Sequence, residues 1–265
     1  MASRAPTRHL LLEIFAVANL LFLGLDIVLA HSINAFAHPA EWVPVGFSAA
    51  AAALLVPGLL RRRDTDGSAR ALGFAVGAAS IAVGIAGMLL HLESTFFTEQ
   101  SLHNLVYTAP FAAPLAYTGV GFLLLLNRME PPESEVWGPW VIFLALGGFV
   151  GVLAVSLGDH AQNGFFYPAE WIPVCASALA ASFLLTELLR PGDRDFVRIC
   201  LAVMGVQALV GGLGFALHLW PMLKAGALPT WDALIFGPPP FAPLLFANLA
   251  LLAAIGLWEN LARGR

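Results

Sequence analysis

Six of the seven histidines of this chain lie where long apolar runs end: His31, His38, His91, His103, His160 and His218. Only His9 stands apart, beside basic residues near the amino terminus. Three positions recur as a set, because His31, Glu41 and His91 are mirrored by His160, Glu170 and His218. Each set offers two imidazoles and one carboxylate. These ligands suit copper, iron or zinc and leave coordination positions open. Asn34 and Asn163 follow the first histidine of each set by about one helical turn. They are placed to orient its ring, since a ligating imidazole donates its other N–H to a neighbouring group. His38 and His103 are unmatched extras nearby. An axial pair such as His91 with His218 would suit haem instead.

The mirroring belongs to an internal repeat. Residues 31–45 read HSINAFAHPAEWVPV and residues 160–174 read HAQNGFFYPAEWIPV, with nine of fifteen positions identical at a shift of 129. Ala113-Pro114 matches Ala242-Pro243 at the same shift. At a shift of 127, Gly73, Gly77, Ser80, Gly84, Gly87 and His91 align with Cys200, Met204, Gln207, Gly211, Gly214 and His218. Steps of four and three residues put each set on one helical face. Such small-residue faces let a partner helix come close, so His91 and His218 are expected to end packed faces and to point inward.

The elements that must position these residues are membrane helices. The chain has 265 residues, of which 59 % are hydrophobic and 11 % charged. A soluble protein carries about a quarter charged residues, and the mean hydropathy is +0.80. A crossing needs about 20 apolar residues. Eight such runs are read, at 10–30, 43–60, 71–92, 108–127, 139–159, 171–189, 196–219 and 240–260. The predicted fold is all-α and polytopic: two tandem four-helix repeats, 1–129 and 136–265, joined by a linker at 130–135. An even number of spans keeps both repeats in the same orientation, so they are parallel.

Twelve of the thirteen basic residues fall on one side of this scheme, and Lys224 alone falls on the other. The positive-inside rule makes the arginine side cytoplasmic, with both termini inside and the histidines outside. The expected location is the plasma (inner) membrane, multi-pass. Ala35-Phe36-Ala37 resembles a signal-peptidase site. The preceding run is longer than a signal core and recurs mid-chain, so it is read as a span.

Competing readings attach to several of these residues. A histidine at the end of a span can be solvated at the interface, and Trp42 and Trp171 suit interfacial anchors. Pro39-Ala40-Glu41 can open a helix whose dipole favours the glutamate. Asp26, inside span 1, is a costly intramembrane carboxylate, with Asn19 seven residues earlier on the same face. Together they could line a proton or ion path. Glu13 and Glu187, near the expected cytoplasmic ends, are read as solvated.

No lysine sits in a span to hold retinal. No CxxC, Walker A or dinucleotide fingerprint occurs, and no basic groove suits nucleic acid. Three functions follow. The first is a His/Glu metal or haem site near the outer membrane face, serving redox chemistry or metal handling. The second is a small-solute or ion transporter using Asp26 and Asn19. The third is a non-catalytic subunit of a membrane complex or homo-oligomer, with the lipid bilayer as partner in every case.

Overall fold

The computed structural model of the chain describes residues 5–61, 67–131, 133–224 and 230–263. Arg4, Arg62, Arg63 and Arg265, which contribute to the charge asymmetry, lie outside the described residues. So do Pro132 of the linker and the side chains of Arg61 and Arg263.

Among the described residues every regular element is a helix. The long ones are α1 (Ala5–Ser32), α2 (Trp42–Arg61), α3 (Gly67–Glu93), α6 (Trp137–Gln162), α7 (Trp171–Leu189), α8 (Arg194–Lys224) and α10 (Leu244–Arg263). Short helices α4 (Leu102–Tyr107) and α9 (Trp231–Phe236) were not foreseen. Ser101 and Thr230 cap them, accepting from the amides of Asn104 and Ala233. A shorter apolar helix, α5 (Leu115–Met129), completes the order.

Among the described residues, seven helices are long and apolar enough to cross a membrane. Their surfaces agree with that reading. Only 22 % of the most apolar stretch of α8 is buried inside the protein, and Leu209 on it is 74 % exposed. Apolar faces of this extent are not left in water, so lipid is the solvent that fits them. The chain is therefore a multi-pass membrane protein.

The run read as a span from 108 begins its helix only at Leu115. Pro110 and Pro114 lack an N–H and push their preceding residues out of the helical region. The 15 residues of α5 reach about 22 Å. Helix α10 likewise starts at Leu244, after Pro238 to Pro240 and Pro243, where residue 240 was expected.

The chain divides into two compact units. The first comprises Met1–Val83, Tyr117–Trp137 and Ala216–Phe241; the second comprises Gly84–Ala116, Gly138–Phe215 and Ala242–Arg265. Within the first, the small-residue face of α3 packs on α5. A Cβ at Gly121 would stand 2.6 Å from the Gly77 carbonyl oxygen, and Ser80 donates to the Tyr117 carbonyl at 2.7 Å. Within the second, Gly211 and Gly214 press against Pro243 and the start of α10. The periodic face seen in the sequence is thus a packing face in both units.

Two glutamates expected to be solvated are buried. Glu13 is 1 % exposed and receives both ends of the Arg128 guanidinium, Nη1 at 2.8 Å and Nη2 at 2.6 Å. Glu187 is also 1 % exposed and accepts from Asn260 at 3.1 Å. Proximity to a helix end does not expose a carboxylate when a neighbouring helix brings a donor to it.

Candidate functional site

The repeated segment forms the same tight loop twice. After α1 the chain reverses through a Phe36 N–H donated to the His31 carbonyl at 3.1 Å, and after α6 through Phe165 N–H to the His160 carbonyl at 3.0 Å. The reversal needs left-handed backbone. Phe36 has φ 55° and Phe165 has φ 51°. That conformation costs an L residue about 1–2 kcal/mol. The phenylalanine rings repay much of it. Phe36 stacks on Trp42 with centroids 4.0 Å apart, and Phe165 stacks on Trp171 at 4.0 Å. Such a pair contributes about 0.5–1.5 kcal/mol beyond its buried area. Trp42 and Trp171 remain 54 % and 47 % exposed, so each covers its loop while one face stays outside.

Next, Pro39 and Pro168 each open a single 3-10 turn that ends in the glutamate. The helix-capping role open to this carboxylate is not the one it takes: Glu170 occupies the cap position of α7 without a side-chain capping bond. Both carboxylates turn back towards the imidazole ten residues earlier. Glu41 Oε2 lies 3.6 Å from His31 Nδ1, and Glu170 Oε2 lies 3.8 Å from His160 Nδ1. The four side chains are 12–22 % exposed. These separations exceed a hydrogen bond, and each Oε2 is buried without a hydrogen-bond partner. The Asn34 amide donates to Glu41 Oε1 at 2.9 Å. Expected to orient the histidine, it holds the carboxylate and leaves Oε2 towards the ring.

His91 and His218, at the ends of the packed faces, are also treated alike. His91 Nδ1 meets the Pro110 carbonyl at 2.9 Å, and His218 Nδ1 meets the Pro239 carbonyl at 2.7 Å. A carbonyl only accepts, so Nδ1 carries the proton in both. In the neutral ring the lone pair is then on Nε2. The same prolines that shorten α5 and delay α10 supply these acceptors.

Of each triad, the structure brings the first histidine and the glutamate together, within one unit. His31 and Glu41 belong to the first unit and His91 to the second, while His160 and Glu170 belong to the second and His218 to the first. Among the described residues no group of three or more His, Cys, Asp or Glu side chains comes together. His38 and His103 are exposed, with the His103 ring 4.5 Å from Tyr107. Asn163 is exposed too. Asp26 is half-buried on α1. The Asn19 amide donates to the Phe15 carbonyl of its own helix at 2.8 Å.

What residue spacing alone did not reveal is the buried group Glu13, Asn127 and Arg128. Asn127 donates to Glu13 Oε2 at 3.1 Å and to the His9 carbonyl at 3.2 Å. The available signal was the need for neutrality: an apolar helix carrying Asn127-Arg128 calls for an acceptor opposite. Compared with protein-family models, curated proteins and solved structures, the chain matches none of them.

Proposed function

We propose that this chain is a transition-metal-binding protein of the plasma (inner) membrane. Eight spans, α5 being the eighth, form two tandem parallel repeats, 1–129 and 136–265, with both termini cytoplasmic. Each repeat presents one His–Glu site at the outer face, His31 with Glu41 and His160 with Glu170. The observation that carries this reading is the buried Oε2 of Glu41 and of Glu170, each without a hydrogen bond and facing an imidazole nitrogen across less than 4 Å. Two ligand atoms on one tetrahedral zinc-sized ion stand about 3.3 Å apart. Gaps of 3.6 and 3.8 Å need only a small closure to hold an ion. A carboxylate and an imidazole leave two or more positions open, which suits handing a metal on or presenting it to a small substrate. The Phe–Trp stacks cover the loops and hold both ligands on a short, strained turn.

Metal analysis and a visible spectrum of detergent-purified protein test this. Stoichiometric zinc, copper or iron that is lost in His31→Ala with His160→Ala supports the proposal. A Soret band lost only in His91→Ala with His218→Ala would replace it with haem ligation. Colourless, metal-free protein after reconstitution with each ion would end it.

A further inference from the structure

The two His–Glu loops differ at one step of the turn, and the difference reaches the carboxylate. Repeat one passes through Asn34-Ala35-Phe36 and repeat two through Asn163-Gly164-Phe165. Ala35 has φ 56° and Gly164 has φ 66°. Left-handed backbone is strained for alanine and free for glycine. Repeat one therefore holds two side-chain-bearing residues in succession there, Ala35 and Phe36, whereas repeat two holds only Phe165. The Asn34 side chain meets the extra strain. Its Oδ1 accepts from the Phe36 N–H at 3.2 Å, a donor shared with the His31 carbonyl, in the kind of local turn that asparagine favours. Its amide then points to Glu41 and donates to Oε1 at 2.9 Å. Gly164 makes its turn without that help. Asn163 is exposed, and among the described residues its side chain makes no hydrogen bond. Glu170 is left without the clamp that holds Glu41.

We infer, building on the metal reading above, that the two sites are unequal and that Asn34 is the positioning residue that makes the first the tighter. With Oε1 tied to Asn34, Glu41 presents Oε2, 3.6 Å from His31 Nδ1, in a side chain already ordered. Glu170 has to give up its side-chain freedom when an ion binds. Hydrogen-bonded groups behind a metal ligand contribute about 10–100-fold to affinity, and an exposed amide belongs at the lower end. The first site retains its ion at concentrations where the second loads and releases, an order that suits passing a metal on.

Competition between the full chain in detergent and a fluorescent zinc chelator reads each site alone. Glu170→Gln leaves only the first site and Glu41→Gln only the second. The first is expected to hold zinc about tenfold more tightly. In the Glu170→Gln chain, Asn34→Ser weakens zinc about tenfold, because serine still accepts the Phe36 N–H but cannot donate as far as Glu41. Hydrogen exchange of residues 33–41 stays unchanged in that variant, and in the Glu41→Gln chain Asn163→Ser leaves zinc affinity unchanged. A second site as tight as the first, or a first site indifferent to Asn34→Ser, would overturn the inference and leave the metal reading standing. So would weakening accompanied by faster exchange of the loop, since Asn34 would then act through the turn alone. Zinc binding at neither site would sink the metal reading and this inference with it.

Discussion

Phe36 is held in the left-handed region at φ 55° by its stack on Trp42, 4.0 Å away. Trp42→Ala removes the compensation and leaves the strain. The loop of residues 33–41 then opens at a cost lower by about 1 kcal/mol. Hydrogen exchange of that loop rises roughly fivefold against the wild type, and Trp171→Ala does the same for residues 162–170. Unchanged exchange would show that the stacks do not hold the turns.

Glu13 and Arg128 form a buried pair, with side chains 1 % and 3 % exposed. Glu13→Leu leaves an uncompensated guanidinium and lowers stability by about 3–5 kcal/mol. Adding Arg128→Met to Glu13→Leu recovers most of the loss. Thermal unfolding in detergent distinguishes the two. A double variant no more stable than the single one would mean that the pair is not the source of the cost.

Gly121 and Gly119 share a helix and differ in surroundings. A Cβ at Gly121 meets the Gly77 carbonyl and Ile81 at 2.6 Å, whereas one at Gly119 meets nothing within 4 Å. Gly121→Ala is destabilising by about 1–3 kcal/mol. Gly119→Ala is neutral or stabilising by up to about 1 kcal/mol. Equal melting temperatures for both variants would contradict the α3–α5 crossing described above.

Gly73 is where the guanidinium of Arg128 lies, with Nε 2.1 Å from the position a Cβ would take. Gly73→Ala therefore displaces Arg128 from Glu13 and loses part of the pair's stability. Combined with Glu13→Leu and Arg128→Met, the same substitution costs much less. A Gly73→Ala penalty that persists in the triple variant would place the clash elsewhere.

Much of this architecture is legible in the sequence because membranes reward simple rules. Apolar length located the seven long helices, and steps of three and four predicted the face on which Gly77 meets Gly121. The repeat singled out His31, Glu41 and His91 with His160, Glu170 and His218, and the first two of each set lie within 4 Å of one another. Less legible was where helices begin, since Pro110 and Pro114 sit inside a run that hydropathy reads as continuous. The burial of Glu13 was hidden too, because its partner Arg128 is 115 residues away and resembles an ordinary cytoplasmic arginine. Asn34 was assigned to the wrong neighbour: helical spacing points it at His31, but the chain has left the helix by residue 33 and turns it to Glu41.

The most direct measurement is metal stoichiometry across a carboxylate series, because Glu41 and Glu170 supply the buried oxygens that lack a hydrogen bond. The purified chain is loaded with zinc, dialysed and analysed, beside Glu41→Gln, Glu170→Gln and the double variant, with folding checked by circular dichroism. Two independent His–Glu sites predict about two ions per chain in the wild type, about one in each single variant and none in the double. Equal metal content in all four folded proteins would contradict the assignment of these pairs as the metal sites.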